Sequence, residues 1–290
     1  MRIDQLLVHI QLASTRSQAQ RLIADGVEWK TGDTWKRVAK NGDDVPEDAL
    51  VRLLNDAEAR YVSRGGLKLE AALKRVGLDV TGFACLDVGQ STGGFTDCLL
   101  QHGAASVVGV DVGSAQLHPQ LRSDPRVLCV EKVNARSLVA DDLVAAYQDS
   151  IGADGMFEDD EEVDGAAVDS AESVDSTPPL FAPAFDLIVA DLSFISQTLV
   201  LPAVVPLLKA GATLLTLVKP QFELQPGQVG KGGIVKDPDM YAIVEQRLRE
   251  TCADLGLTVT AWFDSSIEGG DGNREFFICA RSPGEHAYSK

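Results

Sequence analysis

Apolar positions between residues 63 and 290 gather into runs of four to six, separated by amphipathic stretches, and this alternation predicts strands interleaved with helices. The runs Ala84–Val88, Ser106–Val110, Val127–Val130, Leu187–Ala190, Thr213–Val218, Thr258–Phe263 and Glu275–Ala280 read as strands. Helical spacing covers Gly66–Val76, Phe95–Gln101, Val200–Leu208 and Tyr241–Leu255. Strands alternating with helices form a mostly parallel sheet covered on both faces. The last two follow each other without room for a crossover helix, so they are expected to pair antiparallel.

The first sixty residues carry a different pattern. Arg2–Val8 and Thr15–Ala24 read as short amphipathic helices, the second with Ser14 as N-cap and Gly26 as stop. Val27–Lys30 and Trp35–Val38 read as strands across a Thr31-Gly32-Asp33 turn, followed by Val51–Leu54. So small an α+β unit buries little surface and is expected to lean on a neighbour. The resulting division is a first domain over 1–58, a linker over 59–62 and a larger domain over 63–290. Residues 152–179 interrupt the larger domain with an acidic, Ser/Gly/Ala-rich segment ending in Pro178-Pro179, expected to be a disordered surface loop.

Composition narrows the class. Hydrophobic residues are 45% and charged residues 24% of 290, the range of soluble globular proteins. No run approaches the roughly 20 apolar residues of a membrane span, and charges interrupt the N-terminus, so a cytoplasmic protein without signal peptide or anchor is expected. The five cysteines are scattered and never in a CxxC pair, which argues against disulfides and against a metal site. The net charge of −17 is uneven: Asp154–Thr177 holds ten acidic residues and no basic ones. Residues 1–40 hold seven Lys/Arg against four Asp/Glu. Phosphate contacts are therefore expected at this basic end, from Arg2, Arg16, Arg21, Lys30, Lys36 and Arg37.

The sharpest motif is Asp87-Val88-Gly89-Gln90-Ser91-Thr92-Gly93-Gly94-Phe95, directly after the first strand of the larger domain and opening a helix. Glycines at 89, 93 and 94 allow a tight turn and close approach of a ligand to free N–H groups at the helix start. The spacing is GxxxGG rather than GxGxxG, and no GK[ST] follows, so a phosphate ligand is disfavoured. Asp87 at the strand end suits a cationic sulfonium or amino group. Asp111, 22 residues after Gly89, ends the next strand, where a carboxylate accepts hydrogen bonds from a ribose diol. Ser91, Thr92, Phe95, Val112, Glu131 and Asn134 complete the candidate lining. This is a nucleoside-cofactor site, and with an antiparallel final strand the fold expected is α/β of the class I (Rossmann-like) S-adenosylmethionine-dependent methyltransferase type. A dehydrogenase domain would close on a parallel sixth strand.

Four residues outside that loop converge if the sheet is drawn this way. Asp191 and Lys219 end consecutive strands, Glu275 begins the last one, and Lys68 reaches over from the preceding helix. Ligands of open α/β sheets bind outside the carboxyl ends of the strands. Two lysines and two carboxylates there suit activation of a poor hydroxyl nucleophile: one lysine takes or stabilises its proton, the other stabilises developing negative charge, and the carboxylates fix both. Any one such pair alone is more often a surface ion pair.

The segments YVSRGGLKLEAAL (61–73), DVGQSTGGFTDCLLQHGA (87–104), DVGSAQL (111–117), ADLSFIS (190–196), LVKPQFE (217–223), VGKGGIVKD (229–237) and GGDGNREFF (269–277) resemble the TlyA/haemolysin-A family of ribosomal RNA methyltransferases. The N-terminal segments RIDQLL (2–7), STRSQA (14–19) and LIADGV (22–27) resemble the RNA-binding domain first seen in ribosomal protein S4. The resemblance implies an FtsJ-like domain that methylates cytidine 2′-hydroxyls of ribosomal RNA, with ribosomal subunits as partners and neither membrane nor metal. It places the family's Lys-Asp-Lys-Glu tetrad on Lys68, Asp191, Lys219 and Glu275. It also places an interdomain tetrapeptide, which couples RNA binding to cofactor affinity, on Ala59-Arg60-Tyr61-Val62, and adds Arg60 to the candidate RNA contacts. Gln90 departs from the family pattern, which commonly has a small residue there. The main alternative is a non-catalytic RNA-binding or ribosome-assembly factor. A pseudouridine synthase would not require the glycine loop or the tetrad, and a membrane-active haemolysin would require an apolar span or a basic amphipathic helix.

Overall fold

The computed structural model describes residues 1–54, 59–154, 181–270 and 272–284. Residues 55–58 and nearly all of the predicted acidic loop lie outside the described residues. In the first unit, helices α1 (Ile3–His9) and α2 (Arg16–Gly26) pack against an antiparallel sheet of β1 (Val27–Thr31), β2 (Thr34–Arg37) and β3 (Val51–Leu53), with β1 central. Ile3, Leu6, Leu7, Ala19, Leu22 and Val27 form its core. The N-cap of α2 is Thr15, whose hydroxyl accepts the Gln18 N–H at 3.2 Å, and not Ser14. Ser14 instead donates its backbone N–H to the Gln18 side chain at 2.7 Å, so Gln18 closes the turn from the other side.

The larger unit runs α3 (Arg64–Val76), β4 (Ala84–Val88), α4 (Gly94–Gln101), β5 (Ser106–Val110), α5 (Pro119–Arg122), β6 (Val127–Val130), α6 (Ala140–Asp154), β7 (Phe185–Asp191), α7 (Leu201–Val204), β8 (Leu208–Val218), α8 (Pro220–Glu223), α9 (Asp239–Asp254), β9 (Thr258–Asp264) and β10 (Phe276–Arg281). The sheet order is β6-β5-β4-β7-β8-β10-β9. The first five strands are parallel, and β10 inserts antiparallel between β8 and β9. Leu86, Val88, Ile188, Ala190, Leu214 and Ile278 face one core. Their neighbours Cys85, Leu187, Val189, Leu215, Leu217 and Phe277 face the other. Both faces are covered, which is why these strands read as unbroken apolar runs.

Two further expectations are corrected. The helix expected over Val200–Leu208 contains only one α-turn, α7, flanked by 3₁₀ turns, because Pro206 has no N–H to continue the ladder and its ring crowds the carbonyl four residues back, whereas Pro202 sits in the first turn where it is tolerated. Leu208 already belongs to β8, which begins five residues before Thr213; the exposed Lys209-Ala210-Gly211 stretch gave no apolar signal. Among the described residues no helix is long and apolar enough to cross a membrane, and no group of three His, Cys, Asp or Glu could hold a metal. The five cysteines are free thiols.

Candidate active site

The chain leaves β4 at Val88 and turns through the glycine loop into α4. Gly89 has φ +83°, and a Cβ there would stand 2.7 Å from the carbonyl oxygen of Asp191, so the ends of β4 and β7 can meet only across a glycine. A Cβ on Gly94 would stand 2.1 Å from Ser63 Oγ, so the start of α4 is tucked against the residue preceding α3. Beneath the loop, Thr96 Oγ1 donates to Asp87 Oδ2 at 2.7 Å and accepts Gln90 Nε2 at 2.9 Å. Gln90 is accommodated because β5 has no side chain at Gly109, where a Cβ would lie 1.9 Å from the Gln90 amide carbon. The larger residue at this position thus lies under the loop, braced on Thr96. Asp111 Oδ2 accepts the Ser91 N–H at 2.7 Å, and its Oδ1 accepts the Gly113 N–H at 2.7 Å, pinning the loop to the end of β5.

Two cavities open beside this loop. One, of about 460 Å³, is lined by Gly89, Ser91, Asp111, Val112, Asn134 and Asp191, among others. The other, of about 240 Å³, is lined by Thr92, Gly94, Phe95, Asp191, Ser193 and Lys219, among others. They share Gly89, Ser91, Asp191 and Ser193, so they form one cleft with a nucleoside-sized half and a smaller half against Lys219. Three of the candidate cofactor residues lie off the wall. Asp87 is 1% exposed and braces Thr96; Oδ1 has no hydrogen-bond partner, and burial foremost lifts the carboxyl to about 7. Gly93 packs under Leu117 and Leu121. Glu131 is turned to Arg122 at 2.5 Å and to the Ala115 N–H at 2.8 Å, where it supports the 113–122 segment. An acid for a diol, apolar walls at Val112 and Ile195, and the Asp191 carboxylate next to the smaller half fit a nucleoside bearing a cationic centre.

The two lysines and two carboxylates come together as two ion pairs. Lys68 Nζ donates to Glu275 Oε2 at 2.5 Å, with both residues buried. Lys219 Nζ lies 2.5 Å from Asp191 Oδ1 and donates to Ser193 Oγ at 3.0 Å. Burial pushes the Glu275 carboxyl above its ordinary value against the pull of Lys68, and the charges of Lys219 and Asp191 also reach it. Buried ion pairs add little net stability over apolar residues of the same size. A cluster of this kind at the edge of a cleft is therefore a candidate site for chemistry. Only Asp191 and Lys219 line the cleft; Lys68 and Glu275 stand behind them.

Three features escaped the sequence reading. Ser193 anchors Lys219. Phe194 has φ +64° and is 90% exposed, its ring 5.0 Å from that of Phe222. Glu223 is buried and accepts Ser196 Oγ at 2.5 Å and the Gln197 N–H at 2.8 Å, tying the segment after Asp191 to α8; burial raises its carboxyl. The signal available was a set of polar residues inside the otherwise apolar passages ADLSFIS and LVKPQFE. The expected phosphate-contacting residues do not form one surface. Arg2 and Arg16 both bind the enclosed Asp4 carboxylate, at 3.0 and 2.9 Å, and hold it down to about 2. Arg60 pairs with Glu70 at 2.6 Å, and Arg21 is half-buried. Lys30, Lys36 and Arg37 are exposed, with Lys36 on the opposite sheet face from the other two.

A parallel five-strand run closed by an antiparallel strand, with a glycine-rich cleft at the carboxyl ends, defines a class I, Rossmann-like methyltransferase carrying a small α+β domain. Residues 61–282 match the FtsJ-like methyltransferase family and residues 1–26 the S4 domain. The 16S/23S rRNA (cytidine-2′-O)-methyltransferase TlyA of Mycobacterium tuberculosis is 37% identical over 288 residues, 99% of this chain and 92% of that protein. Hemolysin A of Brachyspira hyodysenteriae is 32% identical over 276 residues, 95% of this chain and 98% of that protein. A solved structure from Streptococcus thermophilus, described as a hemolysin, matches at 33% identity and TM-score 0.66, covering 100% of this chain and 92% of that one. The chain belongs to the TlyA/haemolysin-A family of FtsJ-like methyltransferases.

Proposed function

We propose that this methyltransferase moves the methyl group of S-adenosylmethionine to the 2′-hydroxyl of a cytidine in ribosomal RNA, with ribosomal subunits as its partners. The observation that carries the reading is the Lys219–Asp191 ion pair in the wall of the glycine-loop cleft, backed by the buried Lys68–Glu275 pair. The names of the Mycobacterium tuberculosis relative and of a Campylobacter jejuni relative, a 23S rRNA (cytidine-2′-O)-methyltransferase, support the substrate. Residues 1–58 serve as the RNA-binding domain, 59–62 as linker and 63–290 as the catalytic domain.

S-adenosylmethionine supplies an electrophilic methyl on a sulfonium. Asp111 and Asn134 hold its nucleoside end in the larger half of the cleft, with Ser91 and Val112 beside them, and Gly89, Thr92, Gly94 and Phe95 shape the loop side. Lys219 acts through its amine form: it takes the proton of the attacking hydroxyl as that oxygen bonds the methyl carbon, and it is left as an ammonium. Asp191 and Ser193 hold the Lys219 ammonium in place, and Lys68 fixes Glu275 as a second negative centre behind it. The exposed Phe194 ring offers a surface for the base of the reacting nucleotide. A binding-only protein would have no use for two lysine–carboxylate pairs at one cleft.

Mass-spectrometric mapping of ribosomal RNA incubated with protein and labelled S-adenosylmethionine tests the proposal. Label on a cytidine ribose is the expected result; label on a base, or none, overturns it.

A further inference from the structure

The outer face of the small sheet carries side chains that the cleft does not use. Glu28 stands opposite both Arg37 and Arg52, and Lys30 stands opposite Trp35. Side chains alternate along a strand, so Glu28, Lys30, Trp35, Arg37 and Arg52 share one face. The other face, with Val27, Trp29, Val51 and Leu53, packs on the helices. Trp35 is 36% exposed, a large aromatic on a sheet face that no helix covers. The Arg52 guanidinium lies 4.4 Å from the centre of its ring and is held from the side by Glu28 at 2.6 Å. Lys30 stands directly across from Trp35, and the Arg37 guanidinium lies over Gly26 further along the same face; both are exposed and without an ion pair among the described residues.

We propose that this face is a stacking platform for an unpaired nucleotide of RNA, Trp35 with Arg52 taking the base and Lys30 with Arg37 taking the neighbouring phosphates. The inference rests on the RNA-substrate reading given above. Single-stranded bases stack on aromatic rings and on arginine planes whatever their sequence, because every base has a π face. Charge points the same way: on this face Lys30, Arg37 and Arg52 outnumber Glu28, in a chain of net charge −17. An acidic peptide would suit the cations but has no use for a ring lying against a guanidinium.

The test measures binding of a short unstructured oligoribonucleotide to the full-length protein by fluorescence anisotropy at several salt concentrations. Trp35→Ala is expected to weaken binding roughly tenfold, and Trp35→Phe to stay near wild type, from the usual strength of base–aromatic stacking. Trp35→Ala should leave the salt dependence unchanged, whereas Arg37→Gln lowers its slope by about 0.7 for one phosphate contact. Cofactor affinity stays at the wild-type value in all three variants, and each is folded at the temperature of the assay. Wild-type affinity in Trp35→Ala, or equal losses in the alanine and phenylalanine variants, overturns the platform. A wild-type protein that methylates ribosomal RNA but binds an acidic peptide, and not the oligonucleotide, at this face also overturns it while leaving the substrate reading intact. A wild-type protein that neither binds nor methylates RNA overturns both.

Discussion

Asp87 is enclosed under the cofactor loop with one oxygen unpartnered, and its protonation should be readable as stability. Burial is the main cause of its raised carboxyl; the negative charges of Asp191 and Asp111 add to it, and the Thr96 hydroxyl opposes it, leaving a folded value of about 7 against 3.8 for the ordinary group. Between those values the folded protein keeps a proton that the unfolded chain has released. Stability therefore falls as pH rises through this window, by about 1.4 kcal/mol per pH unit, and the loss is complete above pH 7. Over roughly three units the total is about 4 kcal/mol, on the order of 10 °C in melting temperature for a domain of this size. Asp87→Asn mimics the protonated acid, accepts the same Thr96 hydrogen bond and does not titrate. Melting curves of wild type and variant from pH 4 to 8 should show the variant's advantage growing with pH and levelling near 7. Because a cation in the cleft favours the ionised carboxylate, S-adenosylmethionine should stabilise wild type more than the variant at pH 8. A melting difference independent of pH, or a variant less stable than wild type at pH 8, would refute the reasoning.

Other consequences can be measured directly. Lys219→Ala should lower kcat by a factor on the order of 10² to 10⁴, the usual contribution of a positioned acid–base group, while calorimetry shows cofactor binding retained. Phe194→Ala should raise KM for RNA about tenfold with little change in melting temperature, because the ring is 90% exposed and alanine carries the same Cβ at the same left-handed φ. Asp97→Ala removes the acceptor of the Val62 N–H at 2.9 Å and should weaken cofactor affinity several-fold, measured by equilibrium titration, without altering kcat at saturating cofactor.

The sheet was legible because it is buried on both sides: Cys85–Val88, Leu187–Ala190 and Leu214–Val218 are apolar at every position but Asp87 and Thr216, and both exceptions make side-chain hydrogen bonds. The glycine loop, Asp191, Lys219 and Glu275 were legible from their places at strand ends, which topology alone brings to one edge, and Lys68 from the helix that precedes the first of those strands. Two kinds of feature were not. Proline breaks and polar strand starts, as at Pro206 and Lys209, follow local backbone chemistry that hydrophobic periodicity does not see. Side-chain direction also escaped: Asp87 and Glu131 sit in the correct segments but turn below or beside the cleft, because Thr96 and Arg122 take them, and Leu117 and Leu121 cover Gly93.

The contacts of the linker give the two units a physical route to one another. Gln18 of α2 donates its amide to the carbonyl of Tyr61 at 3.2 Å. On the far side, the Val62 N–H and the Arg60 carbonyl are bound by Asp97 and Gln101, both on α4, at 2.9 and 2.8 Å. Tyr61 itself packs where a side chain at Gly66 would be, a Cβ there standing 2.3 Å from its ring, so the linker also seats the start of α3. The helix that receives these bonds is the one the cofactor loop opens, and the helix seated by Tyr61 carries Lys68. Two backbone carbonyls, one backbone N–H and a packed ring thus join the first unit to the helix that the glycine loop opens and to the helix that carries Lys68.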